Sequence, residues 1–551
     1  MSNATLPAES DVLVVGAGPA GMVTAALLER LGMAVRILER FPSRLALPKA
    51  HVVGPVTLDI CVQAGLDVDR MSADAHPPEW DQFVRFATRL FGEQLGTIAY
   101  EYQSPEWTAR PRINLSQPRF EAIVEGDVRQ RPGIEWVCGR WTGAQVDKGK
   151  VVSTATVDDR QVQFSSRYLI GADGANSAVR ESLGISMHTY GQPSHQINAH
   201  VVADMREQLT DHPAVLYALV DPEVAGVAVI HGLGQPGHDN TIEWICGSPY
   251  DGENVPEMDT IIDRVRKVIG SDDIGFEVLK LSPWVLTARV ADQFQAGPCF
   301  LIGDAAHRLP PTGGLGMNTA IQDGANLAWK LAAVIHGWAG EALLQSYSTE
   351  RRPIAIANTL RSLENFEIHI QALAELATAA LDGTLHTMAA ERLDNLVQQN
   401  SIGFNSPGLQ LGYGYGPNQE VADATSFTPS AAVGRRLPHA QVKTGAVDVV
   451  PIIDLVDRAG FTVFIQGAAD AWREASGGSE FPVTIVDLAG AVADQGWLEL
   501  TGLAHEGAAL VVRPDGHIAA KAADPQSWPG IHSSLRNHLQ TGQPLGTEAI
   551  A

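Results

Sequence analysis

The first pattern along the chain is a short apolar run that leads into a segment with helical spacing. Asp11–Val15 suits a strand buried on both faces, and it ends at Gly16. In Pro19–Leu31 apolar residues recur on one helical stripe, and Val35–Glu39 is again short and apolar. The pattern predicts a strand–helix–strand unit that opens a parallel sheet.

Farther along, the spacing of the hydrophobic residues changes twice. Between about 143 and 170 it has period two, with turn residues at Asp147–Gly149 and Asp158–Asp159, which predicts antiparallel strands. Residues from about 190 to 290 mix strand-like runs with loops and indicate a separate sheet-rich domain. Met317–Trp338 then returns to helical spacing, which predicts one long helix.

The last third of the chain contains a helical region, a loop-like stretch and a further set of strands. Helical spacing continues over about 341–400, and the Gly-, Ser- and Pro-rich stretch 401–420 is typical of a linker. Three apolar runs then predict the strands of a small α/β domain: Thr462–Gln466, Val483–Val486 and Ala508–Val512. Arg513-Pro514-Asp515-Gly516, directly after the last run, predicts a hairpin turn.

A chain of 551 residues is too long for one hydrophobic core, so we expect two or three domains. The expected division is a discontinuous α/β domain of 1–190 with 285–400, an inserted sheet-rich domain of 191–284 with contributions from about 75–115, the linker 401–420, and a domain of 421–551.

Charge and composition narrow the class of protein. The chain has 39 basic and 63 acidic residues, a net charge of -24, which argues against nucleic acid or an anionic membrane as a partner. Neither a secretory signal nor an apolar run of ~18 residues is readable, so we expect a cytoplasmic protein. The cysteines lack the spacing of a metal site or a disulfide framework and are expected to be reduced: Cys61, Cys138, Cys246 and Cys299.

The glycine-rich turn after the first predicted strand has the spacing of a dinucleotide-binding loop. In Gly16-Ala17-Gly18-Pro19-Ala20-Gly21, Gly16 permits the tight turn, Gly18 lets the backbone approach a pyrophosphate, and Gly21 lets the helix pack on the strand. The helix N-terminus supplies N–H donors to the phosphates. Glu39, at the end of the next strand, can accept hydrogen bonds from ribose hydroxyls and argues against a 2′-phosphate at this site.

A second segment, Gly303-Asp304-Ala305-Ala306-His307, indicates which dinucleotide binds. Asp304 follows a strand end and a glycine, so its carboxylate can face a polyol such as the ribityl chain of FAD, which NAD lacks. Pro310–Gly316 forms a rigid approach to the long helix, whose N-terminus can stabilise negative charge on the reduced flavin. Taken alone, the segment could also be a loop with a capping aspartate; His307 is expected to be structural.

A further motif is Gly171-Ala172-Asp173-Gly174-Ala175-Asn176-Ser177, followed by Arg180. Together the three motifs resemble those of the class A flavoprotein monooxygenases, the para-hydroxybenzoate and phenol hydroxylase family. The resemblance covers residues 11 to about 353, and it implies bound FAD, transient NADPH or NADH, and O2 as co-substrate. The residues expected to bind the cofactor, from the motifs and the resemblance together, are Gly16, Gly18, Ala20, Gly21, Glu39, Arg40, Lys49, Gln117, Asp173, Gly174, Arg180, Asp304, Pro311, Gly314, Leu315, Gly316, Met317 and Asn318.

Finer similarity, carried by Pro48–His51 and Gly314–Lys330, is to the phenol hydroxylase and 2,4-dichlorophenol monooxygenase branch, which includes hydroxylases of aromatic polyketides. The resemblance implies a Rossmann-like FAD-binding domain of the glutathione-reductase type, an inserted substrate domain, a thioredoxin-like C-terminal domain without cysteine, and a possible homodimer. One departure is Val56, where the family often has an arginine; Lys49 partly replaces its charge.

The implied reaction adds O2 at the flavin C4a position and transfers one oxygen to an electron-rich phenolic ring, monocyclic or polycyclic. A phenol of pKa ~10 calls for a nearby base, and His51 is the candidate because imidazole titrates near neutrality. Trp284 and Val227–His231 are candidate walls of the substrate pocket. Two alternatives stay open: an FAD protein that sequesters an aromatic intermediate without turnover, and lactone-forming Baeyer–Villiger oxygenation on the same scaffold.

Overall fold

The structure is a computed structural model that describes residues 9–43, 49–100, 104–235, 238–416, 423–445 and 448–545, without the side chains of 234–240. The strands are β1 (Glu9–Val15), β2 (Val35–Glu39), β3 (Val52–Val53), β4 (Phe83–Ala87), β5 (Gln94–Ala99), β6 (Ile113–Asn114), β7 (Ile134–Cys138), β8 (Arg140–Asp147), β9 (Lys150–Val157), β10 (Arg160–Gly171), β11 (Met187–Asp204), β12 (Leu216–Leu219), β13 (Gly226–Gln235), β14 (His238–Pro249), β15 (Phe276–Ala291), β16 (Gln295–Ala296), β17 (Cys299–Leu301), β18 (His307–Arg308), β19 (Gln441–Lys443), β20 (Val449–Pro451), β21 (Phe461–Ile465), β22 (Val483–Asp487), β23 (Ala509–Val512) and β24 (Ile518–Ala522).

The helices are α1 (Pro19–Arg30), α2 (Pro55–Gln63), α3 (Val68–Ala73), α4 (Gln117–Val128), α5 (Ala178–Ser182), α6 (Met258–Ile269), α7 (Leu315–Ile335), α8 (Gln345–Leu381), α9 (Ala390–Gln398), α10 (Pro407–Leu411), α11 (Ala469–Ser476), α12 (Gln495–Thr501) and α13 (Trp528–Thr541). None of these helices is long and apolar enough to cross a membrane.

The first large sheet has the order β16-β17-β10-β1-β2-β7, with β8 and β9 paired beside β10. Strands β17, β10, β1, β2 and β7 run parallel, and α1 crosses from β1 to β2 as predicted. The predicted turns at Asp147–Gly149 and Asp158–Asp159 close two hairpins, and Lys148, Asp158 and Asp159 adopt positive φ there. The α/β class with a parallel Rossmann-like sheet is confirmed.

The long helix α7 packs on α1 with almost no space between them. A Cβ added to Gly324 of α7 would lie 1.9 Å from Thr24 Oγ1 of α1, so only glycine allows this approach. Helix α7 starts at Leu315, two residues before the predicted start near Met317. Because α1 and α7 both begin beside the carboxyl edge of the parallel sheet, their N-termini lie near each other.

The second large sheet has the order β18-β15-β11-β14-β13-β12-β4-β5 and is antiparallel except for the β12–β4 pair. One face buries apolar side chains against α6, among them Ile230, Trp244 and Val265. Side chains alternate between the two faces of a strand, so the neighbours of these residues point away from α6. Strands β4 and β5 come from the part of the chain expected to contribute to this domain.

The C-terminal part forms a four-stranded sheet of order β22-β21-β23-β24. Strands β21 and β22 are parallel and the other pairs antiparallel, and the predicted turn at Arg513–Gly516 joins β23 to β24. Trp472 of α11 meets Trp528 of α13 edge to face, with ring centroids 6.3 Å apart. Helices packed on a small mixed sheet fit the expected thioredoxin-like fold.

The stretch 401–420 was expected to be a linker. The part of it that the structure describes is instead packed against the rest of the protein. Residues 407–411 form α10, and Tyr413 and Tyr415 are buried. The rings of these tyrosines lie among charged groups of α8 and the C-terminal sheet, which is why a Gly- and Pro-rich segment becomes ordered here. Residues 417–420 lie outside the described residues.

Candidate functional site

Three glycine-containing motifs meet at one edge of the parallel sheet. Val15, the last residue of β1, pairs with Gly171 at the end of β10, and Gly171 pairs with Leu301 at the end of β17. Each motif therefore leaves its strand at the same level, although the motifs are far apart in sequence. The carboxyl edge of a parallel sheet is where such folds bind nucleotides.

The turn after β1 contains three glycines, and the space available for a side chain differs among them. Gly16 has a φ of +106°, and a Cβ there would lie 2.3 Å from the carbonyl oxygen of Ala172. A Cβ on Gly21 would lie 2.1 Å from the carbonyl oxygen of Gly16. A Cβ on Gly18 would meet nothing within 4 Å, so protein packing does not require this glycine. Ala20 is buried in the first turn of α1.

Glu39 holds the turn itself. Its Oε2 accepts a hydrogen bond from the Ala17 N–H at 2.8 Å, and its Oε1 accepts one from the Phe41 N–H at 2.9 Å. Each carboxylate oxygen keeps a second lone pair that can accept from a ribose hydroxyl. Arg40 is exposed and lies over the Phe41 ring, 4.7 Å from its centroid.

The second motif links its strand to the third motif. Asp173 accepts hydrogen bonds from Ser177 Oγ at 2.5 Å and from the Val179 N–H at 3.1 Å, so its carboxylate holds the start of α5. Arg180 is buried and donates to the carbonyl oxygen of Ala305 at 3.2 Å. Gly174 has a φ of +80° with open space beside it.

The Asp304 segment is fixed from behind by a buried carboxylate. Asp323 of α7 accepts hydrogen bonds from the Gly303 N–H at 3.2 Å, from His307 Nε2 at 2.6 Å and from Arg351 Nε at 2.9 Å. The charges of His307 and Arg351 lower the pKa of this carboxyl against the opposing effect of burial. Asp304 itself is exposed, and His307 is structural, as expected.

The N-terminus of α7 and the loop before it carry six of the predicted residues. Pro311 is exposed, Gly314 has a φ of +62° and occupies the N-cap without a side-chain hydrogen bond, and Leu315 and Met317 are buried. A Cβ on Gly316 would meet nothing within 4 Å. The first N–H groups of this helix are therefore available to a ligand.

Asn318 contacts protein on all sides. Its Oδ1 accepts from the Gly54 N–H and Thr57 Oγ, and its Nδ2 donates to the carbonyl oxygens of Val52 and Gly314, at 2.7 to 3.0 Å. The side chain thus joins α7 to the segment that follows His51, and its predicted contact with the cofactor stays a prediction.

Gln117 and Lys49 flank the same segment. The Gln117 N–H donates to the carbonyl oxygen of Ala50 at 2.8 Å, and the Gln117 side chain accepts from the Ala50 N–H at 3.3 Å. Lys49 is exposed beside it. This pairing fixes the strand β3 next to β6, directly above the start of α7.

The groups at this edge of the parallel sheet are suited to binding FAD. The N-caps of α1 and α7 have no side-chain hydrogen bond, and open space lies beside Gly18 and Gly316. Such uncapped N-termini attract a pyrophosphate and the electron-rich edge of a reduced flavin. Exposed Asp304 supplies the acceptor that a polyol chain needs.

His51 lies beside this edge, between the two large sheets. Its Nδ1 is 2.7 Å from Asn114 Oδ1, so in the neutral ring Nδ1 carries the proton and Nε2 keeps a free lone pair. His51 retains partial solvent access, yet burial lowers its pKa to about 4 against the hydrogen bond to Asn114. The sequence predicts a group that titrates near neutrality; in the structure burial keeps it neutral instead.

Sequence reasoning missed the histidines around His51. The ring of His231 meets the His51 ring at a centroid distance of 5.5 Å, and His76 lies against the His231 carbonyl. His200 Nε2 is 2.7 Å from Glu243 Oε1 on the neighbouring strand. These residues are far apart in sequence, so only the fold brings them together. Val227–His231 was predicted to be a wall of the substrate pocket, but no role was predicted for the His231 side chain.

A buried charge network between the first domain and the C-terminal sheet was also missed. Glu350 of α8 accepts from both guanidinium nitrogens of Arg513 at 2.7 and 2.9 Å, and from Lys330 Nζ at 2.7 Å. Asp515 accepts from Arg513 at 2.6 Å and from the Trp329 indole at 3.1 Å. Every carboxylate here has a cation within hydrogen-bonding distance, so the network is balanced.

The chain is similar to proteins of known activity over nearly its whole length. The FAD binding domain family matches residues 9–362, and the C-terminal family of aromatic-ring hydroxylases matches residues 430–542. A 2,4-dichlorophenol 6-monooxygenase of Cupriavidus pinatubonensis is 29% identical, over 94% of this chain and 94% of that protein. Aklavinone 12-hydroxylase RdmE of Streptomyces purpurascens is 29% identical, over 93% and 95%.

A solved structure extends the likeness to three dimensions. The flavin-dependent monooxygenase PieE in complex with FAD and substrate superposes with a TM-score of 0.86 at 27% identity, over 97% of this chain and 99% of that one. FAD is thus the cofactor of this chain, and NAD(P)H and O2 are the co-substrates of this family. The chain belongs to the FAD binding domain family and, within it, to the FAD-dependent aromatic-ring hydroxylases.

Proposed function

We propose that this enzyme hydroxylates a phenolic ring, monocyclic or polycyclic, and that His51 orients the phenol hydroxyl. The observation that carries the proposal is the position of His51: its ring meets His231 of the substrate-domain sheet, and the next residue, Val52, contacts Gly314 and Asn318 at the start of α7. The relatives named for dichlorophenol and aklavinone support the substrate class.

FAD, when bound, accepts electrons from NADPH or NADH and activates O2 for transfer to the ring. Asp304 would hold its ribityl chain, the turn at Gly18 its pyrophosphate, and the first N–H groups of α7 its electron-rich edge. Asp323 and Arg180 hold the backbone on either side of Asp304, because Asp323 accepts from the Gly303 N–H and Arg180 donates to the Ala305 carbonyl oxygen.

His51 acts as a hydrogen-bond acceptor rather than as a full base. With its pKa lowered to about 4, complete transfer of a proton from a phenol of pKa ~10 would be uphill by about 8 kcal/mol. A hydrogen bond from the phenol to Nε2 still shifts electron density into the ring as the oxygen transfers. Asn114 keeps Nε2 free, because its Oδ1 accepts a hydrogen bond from the Nδ1–H and so holds the proton on Nδ1.

The test is a screen of NADPH oxidation over phenols and polycyclic aromatics, with mass spectrometry for a gain of one oxygen. We expect Asp304→Ala to yield colourless protein. We expect His51→Ala to stay yellow and oxidise NADPH but to form at least tenfold less product per NADPH. His188→Ala, at an exposed position on β11, is the control and should behave like the wild type.

Each result bears on one part of the proposal. Full FAD content in Asp304→Ala would remove the ribityl assignment, and normal coupling in His51→Ala would remove the role of His51. Ring-opened or lactone products would indicate Baeyer–Villiger chemistry. If no phenol accelerates NADPH oxidation, sequestration without turnover becomes the better account.

A further inference from the structure

His231 sits at an irregularity of its strand. On β13, Ile230 pairs with Trp244 and Gly232 pairs with Glu243, so His231 is an extra residue between two successive partners. Ile230 belongs to the core beneath α6, whereas the ring of His231 meets His51, with centroids 5.5 Å apart. Such bulges often re-aim a side chain next to an active site.

Some ring nitrogens of this histidine cluster have no hydrogen-bond partner in the part of the chain that the structure describes. His231 is 2% exposed and His76 is 7% exposed. Among the described residues, His231 Nδ1 and both ring nitrogens of His76 have no hydrogen bond of normal geometry. Buried polar atoms are nearly always hydrogen-bonded, so unpaired nitrogens next to His51 indicate a polar ligand group.

The rings are neutral when the protein is near pH 7. Burial and the neighbouring His51 lower the pKa of His231 well below its usual value, and burial lowers that of His76 to about 4. The nearby cation Arg112 is held by Asp81 at 2.9 Å, with both side chains buried. A neutral imidazole can donate one hydrogen bond and accept one, which suits a hydroxyl or a carbonyl rather than a carboxylate.

We propose that His231 is a second substrate-binding residue, and that with His51 it selects aromatic substrates carrying two oxygens on adjacent positions. This inference rests on the proposed function, since it assumes that the phenol hydroxyl binds His51. The second oxygen, a hydroxyl or a carbonyl beside the reacting phenol, binds His231.

The test is a binding titration of oxidised holoenzyme, read from the change in flavin absorbance without NADPH. The probes are matched isomers: 2,3-dihydroxynaphthalene against 2,7-dihydroxynaphthalene, and catechol against resorcinol. We expect the adjacent isomer to bind about tenfold more tightly, the value of one good hydrogen bond. His231→Phe keeps the ring but loses both nitrogens, and it should bind the two isomers equally and 2,7-dihydroxynaphthalene as the wild type does.

His188→Phe, on β11 and exposed, is the control for the substitution and should keep the isomer preference. If His231→Phe fails to hold FAD, His231→Asn decides, since the amide keeps a donor and an acceptor and should restore the preference. Equal binding of the isomers by the wild type, or a preference that survives in His231→Phe, would overturn the inference alone. If neither the isomers nor phenol changes the flavin spectrum, the proposed function fails with it.

Discussion

Two matched substitutions in the glycine turn after β1 can separate the effect of protein packing from the effect of cofactor binding. Gly16→Ala places a methyl group 2.3 Å from the Ala172 carbonyl oxygen, at a φ of +106°. Gly18→Ala places the same group where nothing lies within 4 Å, at φ -72° and ψ 178°. Both variants add one methyl group to the same loop, so any difference between them comes from position.

The expected magnitudes differ by several kcal/mol in the protein without FAD. At Gly16 a backbone contact must move and an L residue must adopt a strained φ, which together cost about 3–5 kcal/mol. At Gly18 the backbone is already that of an ordinary residue. There the gain of about 0.4–1 kcal/mol from a stiffer unfolded chain offsets a similar loss at the N-cap.

The affinity for FAD should show the opposite order, with the larger loss in Gly18→Ala. The methyl group of Gly18→Ala points into the space through which a pyrophosphate would approach α1, so we expect FAD to bind at least tenfold more weakly. Urea unfolding of the apoprotein measures the first effect, and titration of apoprotein with FAD, followed by flavin fluorescence, measures the second. The apoprotein is used because bound FAD would itself raise the apparent stability.

Two outcomes would refute this reasoning. If Gly18→Ala destabilises the apoprotein as much as Gly16→Ala does, the open space beside Gly18 is filled by protein in solution. If Gly18→Ala folds normally and binds FAD like the wild type, the pyrophosphate does not pass this residue, and the reading of the first motif is wrong.

Three further results are expected. Glu350→Gln should destabilise the protein by about 3–5 kcal/mol in urea, because it leaves a buried cation unpaired, and Lys330→Met in the same chain should restore most of the loss. Burial lowers the pKa of both His51 and His76 from 6.5 to about 4, so their contribution to stability is complete above pH 6.5 and is lost as the pH falls towards 4. Unfolding at pH 5 should show about 2 kcal/mol less stability for each of them, and His76→Phe should reduce the difference. Asn318→Ala removes four hydrogen bonds, three of them buried, and should cost about 2–4 kcal/mol in the same urea assay, whereas a Gly316→Ala chain should unfold like the wild type.

The parts of the fold that follow from local sequence were predictable. Short apolar runs that end at glycine gave the strands β1 and β17, and the positive-φ turns around Asp158 follow from residues that tolerate that conformation. The cofactor edge was predictable for the same reason, because each motif lies within a few residues of its own strand end.

Contacts between residues that are distant in sequence were not predictable. His51, His76 and His231 come from three separate elements, and nothing in their local sequence relates them. The same holds for Glu350 and Arg513. A single sequence shows residues that are neighbours along the chain, whereas these contacts depend on how two sheets pack.

The charge network gives a structural role to the C-terminal domain, which has no cysteine for thiol chemistry. Arg513 reaches across to Glu350 of α8, and the adjacent Arg351 binds Asp323, which in turn holds the Gly303 N–H next to Asp304. Without the C-terminal sheet, Glu350 would lose two charged hydrogen bonds and α8 would carry exposed charges that are now balanced. A buried carboxylate with one partner removed is strongly destabilising, and here the cost would fall on the helix that supports the Asp304 turn. The C-terminal domain therefore supports the cofactor site from behind, although none of the predicted cofactor-binding residues belongs to it.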